Sequence, residues 1–232
     1  MRPLGPRPTI PEMMRAFVLL LVLCFAPLAG AESLLLDRVV AVFTTGSDGK
    51  REVITLSDLE REARLALVSR GAVEAADAEL PQDLLASALD WLLSELLIFE
   101  EAEQLAVAGV EAAEIEREIE AFETRFSSPE ALHAFLQRHA IGRADLARVA
   151  RRRLVVGRYL ESRIRLAGAV TEGEVRSAYE QRRGELGGRA WDDAKHLLRA
   201  QLEKERREEV VAGLVQALRS RAGVRILHRL DG

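Results

Sequence analysis

The sequence contains little cysteine, few aromatic residues and no excess of positive charge. Cys24 is the only cysteine, so neither a disulfide within the chain nor a cluster of cysteine metal ligands can form. Aromatic residues make up 5% of the chain, whereas Leu, Ala, Glu and Arg are abundant, which favours helices over sheet. The net charge of −4 argues against nucleic-acid binding, for which a basic surface is expected.

Long hydrophobic runs are also missing. The longest uncharged apolar run, Ala16 to Phe25, follows Arg15 and precedes Pro27 and the small residues 29–31. About ten residues are too few for a membrane-spanning helix, which needs about 20. A basic start, a short apolar run and an A-x-A motif predict an export signal over residues 1–31, cleaved after Ala31 to leave residues 32–232 in the periplasm. An uncleaved membrane anchor is the alternative.

No catalytic signature occurs. The chain has no GxSxG, HExxH or P-loop pattern. His133 and His139 lie six residues apart, which places them on different faces of a helix rather than at metal-ligand spacing. The glutamates of residues 111–123 could suggest acid–base chemistry, but a solvated helix face explains them better. The sequence therefore predicts no catalytic residue, no metal site and no cofactor.

Periodicity predicts a mainly α fold with a small sheet. Val39 to Phe43 and Val53 to Ile54 read as a hairpin around residues 46–49, and residues 224–227 read as a closing strand that pairs with it. Ser57 or Asp58 is expected to cap the first helix, and Gly71 to Pro81 to form a loop. The predicted helices are 57–69, 82–108, 112–126, 129–140, 143–166, 171–179 and 191–220. Gly109 and Gly223 are the expected C-caps of the second and the last helix, a capping box is expected at Thr171, and the last helix is expected to pack on the central helix 82–108.

Five segments, in order, resemble the SurA/parvulin-type periplasmic chaperones. Residues 36–42 and 53–59 read LDRVVAV and VITLSDL, similar to the start of the mature chains of that family. A Leu-rich helix with a Gly-Val turn over 92–115, VTEGEV…AYE over 170–180 and the helix–strand ending over 191–226 continue the likeness. The resemblance implies a multi-helix chaperone domain whose sheet is completed by the C-terminal strand.

The chain departs from the isomerase-bearing relatives at one place. In those proteins a parvulin domain lies between the segments that correspond to 170–180 and 191–226, but here only residues 181–190 separate them. The resemblance therefore implies an ATP-independent periplasmic holdase that binds unfolded exported or outer-membrane polypeptides in a cleft between helices, without peptidyl-prolyl isomerase activity. A dedicated assembly or scaffold subunit of an envelope complex is the alternative, and an isomerase is less favoured.

Two surfaces are candidate binding sites. An apolar junction between two predicted helices is the candidate client-binding surface, although the same residues could be the core of that region; they are Phe122, Phe126, Leu132, Phe135 and Leu136. The arginine-rich segment from Arg148 to Arg165 could contact anionic lipid headgroups or an acidic partner. Pairing of these arginines with the glutamate-rich helix and solvent is the favoured alternative.

Overall fold

The structure is a computed structural model that describes residues 37–45, 49–106 and 109–227. The predicted signal segment, residues 1–31, lies outside the described residues. Strand β1 (Val39–Thr45) pairs antiparallel with β2 (Lys50–Thr55), and β3 (Arg225–Ile226) pairs antiparallel with the other edge of β1, giving the order β2-β1-β3. The small sheet closed by the C-terminal strand is therefore confirmed. Strand β1 is two residues longer than predicted, and β2 is six residues long where two were predicted.

The first helix begins directly at the end of the hairpin. Helix α1 (Leu56–Ser69) has Thr55 as its N-cap, whose hydroxyl accepts a hydrogen bond from the Asp58 backbone N–H at 3.2 Å. The predicted caps, Ser57 and Asp58, were wrong because β2 runs into the helix without a connecting turn. A short helix, α2 (Val73–Asp77), lies in the predicted loop, since five residues are too few to show helical periodicity.

Four further helices follow much as the periodicity predicted. Helix α3 spans Gln82–Gln104, α4 spans Ala112–Glu123, α5 spans Pro129–Arg138 and α6 spans Arg143–Leu166. Helix α3 ends with its C-cap at Leu105 rather than at Gly109, and α4 and α5 end two or three residues early. The ends of α6 coincide with the predicted ones.

The last two helices have the predicted caps. Helix α7 (Glu172–Gln181) starts with a capping box in which the Thr171 hydroxyl accepts from the Glu174 backbone N–H. Helix α8 (Trp191–Ala222) ends at Gly223, whose φ of 55° lies in the left-handed region that glycine tolerates at no steric cost. None of the described helices combines the length and hydropathy that crossing a membrane requires.

In the part of the chain that the structure describes, three apolar clusters hold the helices together. The largest joins β1, α1, α3, α6 and the end of α8, so α8 packs on α3 as predicted. A second lies between α1, α2, α4, α5 and α6, and a third between α7 and the start of α8. Helix α8 thus links the third cluster to the first, and α6 contributes residues to the first and the second cluster.

Candidate binding groove

An apolar groove with a volume of about 450 Å³ opens between α1, α3, α6 and α8. This volume falls within the roughly 300–1,000 Å³ that small ligand sites enclose. Most of its lining is half-buried rather than fully enclosed. Its apolar lining consists of Ala66, Trp91, Ile98, Val156, Leu160, Val211 and Val215, and its polar lining of Ser69, Arg70, Ser94, Glu95 and Arg153.

A glycine in the middle of α6 keeps one side of the groove wide. A Cβ atom added to Gly157 would meet nothing within 4 Å, and the residue does not have a positive φ. Glycine in a helix interior is less stable than alanine by about 0.5–1 kcal/mol. Neither packing nor backbone conformation therefore requires glycine at this position, and its effect is to leave the groove open.

Arg153 marks the polar end of the groove. Its Nη1 donates to the Ser69 hydroxyl at 2.6 Å, and its guanidinium lies 6.0 Å from the centroid of the Trp91 ring. No carboxylate within the described residues forms an ion pair with it. Burial lowers the pKa of Arg153, only partly offset by the charges of Glu95 and Glu62. A guanidinium with few partners next to an apolar surface retains donors for a ligand.

Beside the groove, a buried ion triad joins three helices. Arg152 Nη2 donates to Glu62 Oε2 at 2.5 Å, and Arg152 Nε donates to Glu95 Oε1 at 2.9 Å. All three residues are 5% exposed or less. Burial alone would lower the pKa of Arg152, but the two carboxylates outweigh it and the pKa is raised. The triad fixes α1, α3 and α6 to one another at the point where they form the groove.

One oxygen of the triad is left without a partner. Glu95 Oε2 is buried and accepts no hydrogen bond from any described residue. Glu95 also lines the groove. Buried polar atoms in folded proteins nearly always have a partner, so this oxygen calls for an explanation.

The predicted client-binding residues come together, but two of them are in the core. The ring centroids of Phe122 and Phe126 are 5.7 Å apart, and those of Phe126 and Phe135 are 5.2 Å apart. Phe122 is 8% exposed and Phe135 is 3% exposed, whereas Phe126, Leu132 and Leu136 are half-buried. The burial favours the alternative in which this junction is the core of the second cluster.

A smaller cavity shares two lining residues with the groove and one with the predicted surface. Its volume is about 110 Å³, and its lining includes Phe122 together with Ser69 and Arg153. Since Ser69 and Arg153 also line the large groove, the two cavities adjoin at this pair. The predicted surface therefore borders the groove without forming it.

Most arginines of the segment from Arg148 to Arg165 form ion pairs or hydrogen bonds with other residues of the protein. Arg148 pairs with Glu62 and Asp145, Arg151 pairs with Glu103, and Arg158 pairs with Glu114 of the glutamate-rich helix. Arg152 belongs to the triad. Arg163 and Arg165 at the end of α6 are exposed. These contacts agree with the intramolecular alternative for the paired arginines, although their partners extend beyond the glutamate-rich helix.

His133 and His139, both described by the structure, have different surroundings. His133 is exposed, whereas His139 Nε2 lies 2.8 Å from Asp77 Oδ1 and its ring packs against Phe135. Arg138 also pairs with Asp77, and the hydrogen bonds from Arg138 and His139 lower the pKa of that carboxyl. Within the described ranges, no group of three or more His, Cys, Asp or Glu side chains is placed to hold a metal ion.

Sequence reasoning missed the groove because its lining comes from four distant helices. Some of the lining residues stood out individually in the sequence. Trp91 widens the apolar stripe of α3, and Val156 and Leu160 belong to the periodic apolar positions of α6. Gly157 inside α6 was a further signal, although Gly213 inside α8 gives the same signal and does not line the groove. Only the packing of α1 and α8 against α3 and α6 shows that these positions face one space.

No protein-family model matches the chain, and no curated protein matches its sequence. The resemblance to the SurA/parvulin-type chaperones therefore stays a prediction that rests on the residues of the five segments.

Proposed function

We propose that this protein is an ATP-independent periplasmic holdase that binds extended, apolar segments of unfolded exported or outer-membrane polypeptides. The observation that carries the proposal is the open apolar groove kept wide by Gly157. A groove of this kind offers scattered apolar contacts, which allow weak and reversible binding of many sequences. Such binding protects strands that would otherwise pair edge to edge.

The resemblance over residues 36–226 supports the same function, because a cleft between helices is what the family's chaperone activity requires. In this proposal the protein is not an enzyme, since the segment 181–190 replaces a whole isomerase domain. It needs neither a nucleotide nor a metal. The paired arginines of α6 serve the fold, and clients rather than lipid headgroups occupy the binding surface.

The test is light scattering during dilution of a denatured outer-membrane β-barrel protein, with and without the exported protein and without nucleotide. We expect suppression at near-stoichiometric ratios. N-terminal sequencing of the protein purified from the envelope checks cleavage after Ala31. The absence of suppression would contradict the holdase and favour a dedicated scaffold subunit, for which crosslinking in the envelope should capture one partner stoichiometrically.

A pair of variants locates the activity. Gly157→Met places a long side chain in the groove, whereas Gly213→Met makes the same change in α8 at a position that is open but does not line the groove. We expect Gly157→Met to lose most of the suppression and Gly213→Met to retain it. Equal activity of the two variants would show that clients bind elsewhere.

A further inference from the structure

Arg153 has hydrogen-bond donors that the described part of the protein does not use. Its Nη1 donates to the Ser69 hydroxyl, but neither Nε nor Nη2 donates to any described residue. The fully buried side-chain atoms without a partner include neither of these two nitrogens, so both retain accessible surface. The guanidinium lies 6.0 Å from the ring centroid of Trp91, which lines the groove and not the smaller cavity. The unused donors of Arg153 are therefore on the groove side.

The charges around the groove favour an anion over a cation. Glu95 also lines the groove, but its Oε1 accepts from Arg152 in the buried triad. Glu118 acts on the charge of Arg153 from a distance, but it is exposed and lines the smaller cavity. Arg70 is exposed, lines the groove and forms no ion pair within the described ranges. Two arginines without a carboxylate partner thus outweigh one glutamate that has a cation beside it.

The donors of Arg153 fit a carboxylate that carries an apolar group. Nε and Nη2 lie on the same side of a guanidinium, so they can bind both oxygens of one carboxylate in a bidentate pair. Trp91, Val156 and Leu160 offer apolar surface next to these donors. A small inorganic anion would leave that surface unused, whereas an apolar carboxylate uses both parts of the groove.

The length of the groove fits about three residues of an extended peptide. Arg153, Gly157 and Leu160 stand at positions i, i+4 and i+7 of α6, so they lie along one face of the helix. Seven residues of helix rise roughly 10 Å, which is the length of about three extended residues. Gly157 has no side chain between the charged end and Leu160, so a peptide backbone can cross the helix there.

The open shape of the groove favours a peptide over an acyl chain. Most of the lining residues are half-buried, so a ligand in the groove keeps one side in water. Successive side chains of an extended peptide point to opposite sides, so only every second one needs the apolar surface. An acyl chain is apolar on all sides and would leave part of its surface in water, which is unfavourable.

We propose that the groove binds the C-terminal residues of an apolar polypeptide, with the free α-carboxylate on Arg153 and the preceding side chains against Trp91 and Leu160. C-terminal recognition rests on the proposed function and deepens it by naming the part of the client that is bound. Each polypeptide has one C-terminus, so each client occupies one such groove. An internal segment of the same sequence lacks the carboxylate and binds more weakly.

Trp91 provides the binding signal. The chain has two tryptophans, so a Trp191→Phe background leaves Trp91 as the only indole. The main probe is acetyl-trileucine with a free carboxylate, compared with the same peptide ending in a carboxamide. Decanoate, a carboxylate with an acyl tail, is the third probe.

We expect the free-acid peptide to change Trp91 fluorescence saturably and to bind about tenfold more tightly than the carboxamide, because hydrogen bonds between charged groups are stronger. Decanoate should bind more weakly than the free-acid peptide. Arg153→Met should bind the acid and the carboxamide equally. The matched control is Arg151→Met, which should keep the tenfold preference because Arg151 is paired with Glu103 and does not line the groove.

Three results would overturn C-terminal recognition: equal affinity of the acid and the carboxamide, tighter binding of decanoate than of the acid peptide, or an Arg153→Met variant that keeps the preference. The comparison of acid with carboxamide leaves Arg153 in place, so it stands even if Arg153→Met fails to fold. Equal affinity of the two peptides, together with suppressed light scattering, would refute C-terminal recognition but leave the holdase intact. Preference for the acid without suppression would refute the holdase alone.

Discussion

Removing the guanidinium of Arg152 should destabilise the protein more than removing any other arginine of α6. Arg152 is 3% exposed and is the only described cation that contacts both Glu62 and Glu95. The Arg152→Met variant keeps an apolar stem of similar length, but it leaves Glu95 without a cation and Glu62 with only the half-exposed Arg148. Deleting one partner of a buried ion pair costs about 3–5 kcal/mol because the remaining charge is desolvated and uncompensated.

That loss is large compared with the total stability of a domain, which is about 5–15 kcal/mol. For a chain of this size each kcal/mol shifts Tm by roughly 2–4 °C, so the expected decrease is on the order of 6–20 °C. Urea unfolding at pH 7, followed by far-UV circular dichroism, measures the free energy directly. The matched control is Arg151→Met, whose exposed pair with Glu103 should contribute about 0–1 kcal/mol.

Neutralising the two carboxylates should restore the stability that Arg152→Met loses. In a triple variant with Glu62→Gln and Glu95→Gln added to Arg152→Met, no uncompensated charge remains in the triad, and most of the lost stability should return. The reasoning would be refuted if Arg152→Met cost less than about 1 kcal/mol. It would also be refuted if the triple variant were less stable than the single one, since the cost would then come from packing rather than charge.

Three other variants probe the core, a helix cap and the groove. Phe135→Ala should lower the free energy of unfolding in urea by about 3–5 kcal/mol, because the ring is 3% exposed in the second cluster. Phe126→Ala should lower it less, because Phe126 is half-buried. The pKa of Glu174 is lowered to about 2, first by the hydrogen bond from the Thr171 backbone. Because this folded-state pKa is depressed, its stabilising contribution is complete above the unfolded pKa of about 4.3 and is lost as pH falls towards 2. The urea midpoint of Glu174→Gln should therefore lie below that of the wild type at pH 7 and approach it near pH 2. Gly157→Ala should raise stability by about 0.5–1 kcal/mol, as Gly213→Ala should in α8, but only Gly157→Ala should weaken client binding.

Each of these has a clear contrary result. If Phe135→Ala kept its stability but lost client protection, Phe135 would belong to the binding surface rather than to the core. If the urea midpoints of the wild type and Glu174→Gln differed by the same amount at pH 7 and at pH 2, the ionised Glu174 carboxylate would not be the group that stabilises the cap. Equal client binding by Gly157→Ala and Gly213→Ala would show that Gly157 has no role in client binding.

Much of the fold could be predicted because its signals are local. The boundaries of α6, the capping box at Thr171 and the C-cap at Gly223 follow from side chains within a few residues of each helix end. The N-cap of α1 was misplaced because it depends on how β2 meets the helix. The pairing of β3 with β1 was predicted from the resemblance and from the instability of a lone hairpin.

The binding site was much less predictable. Phe122, Phe126 and Phe135 could be expected to meet, because α4 and α5 are neighbours in sequence. Whether they face solvent depends on α1 and α6, whose apolar residues belong to the same cluster in which Phe122 and Phe135 are buried. The sequence could not show which apolar stripe stays uncovered.

The sequence by itself determined the helical periods, the capping box at Thr171, the C-cap at Gly223, the hairpin and the acidic balance, since these depend on residues close together in the chain. Only the tertiary structure decided that Glu62 and Glu95 meet Arg152, that no carboxylate in the described part of the chain pairs with Arg153, and that Gly157 lines an open groove. Charge pairing joins residues up to 129 positions apart, as in the ion pair of Arg219 with Asp90. Such contacts follow from how the helices pack, and no local pattern encodes that arrangement.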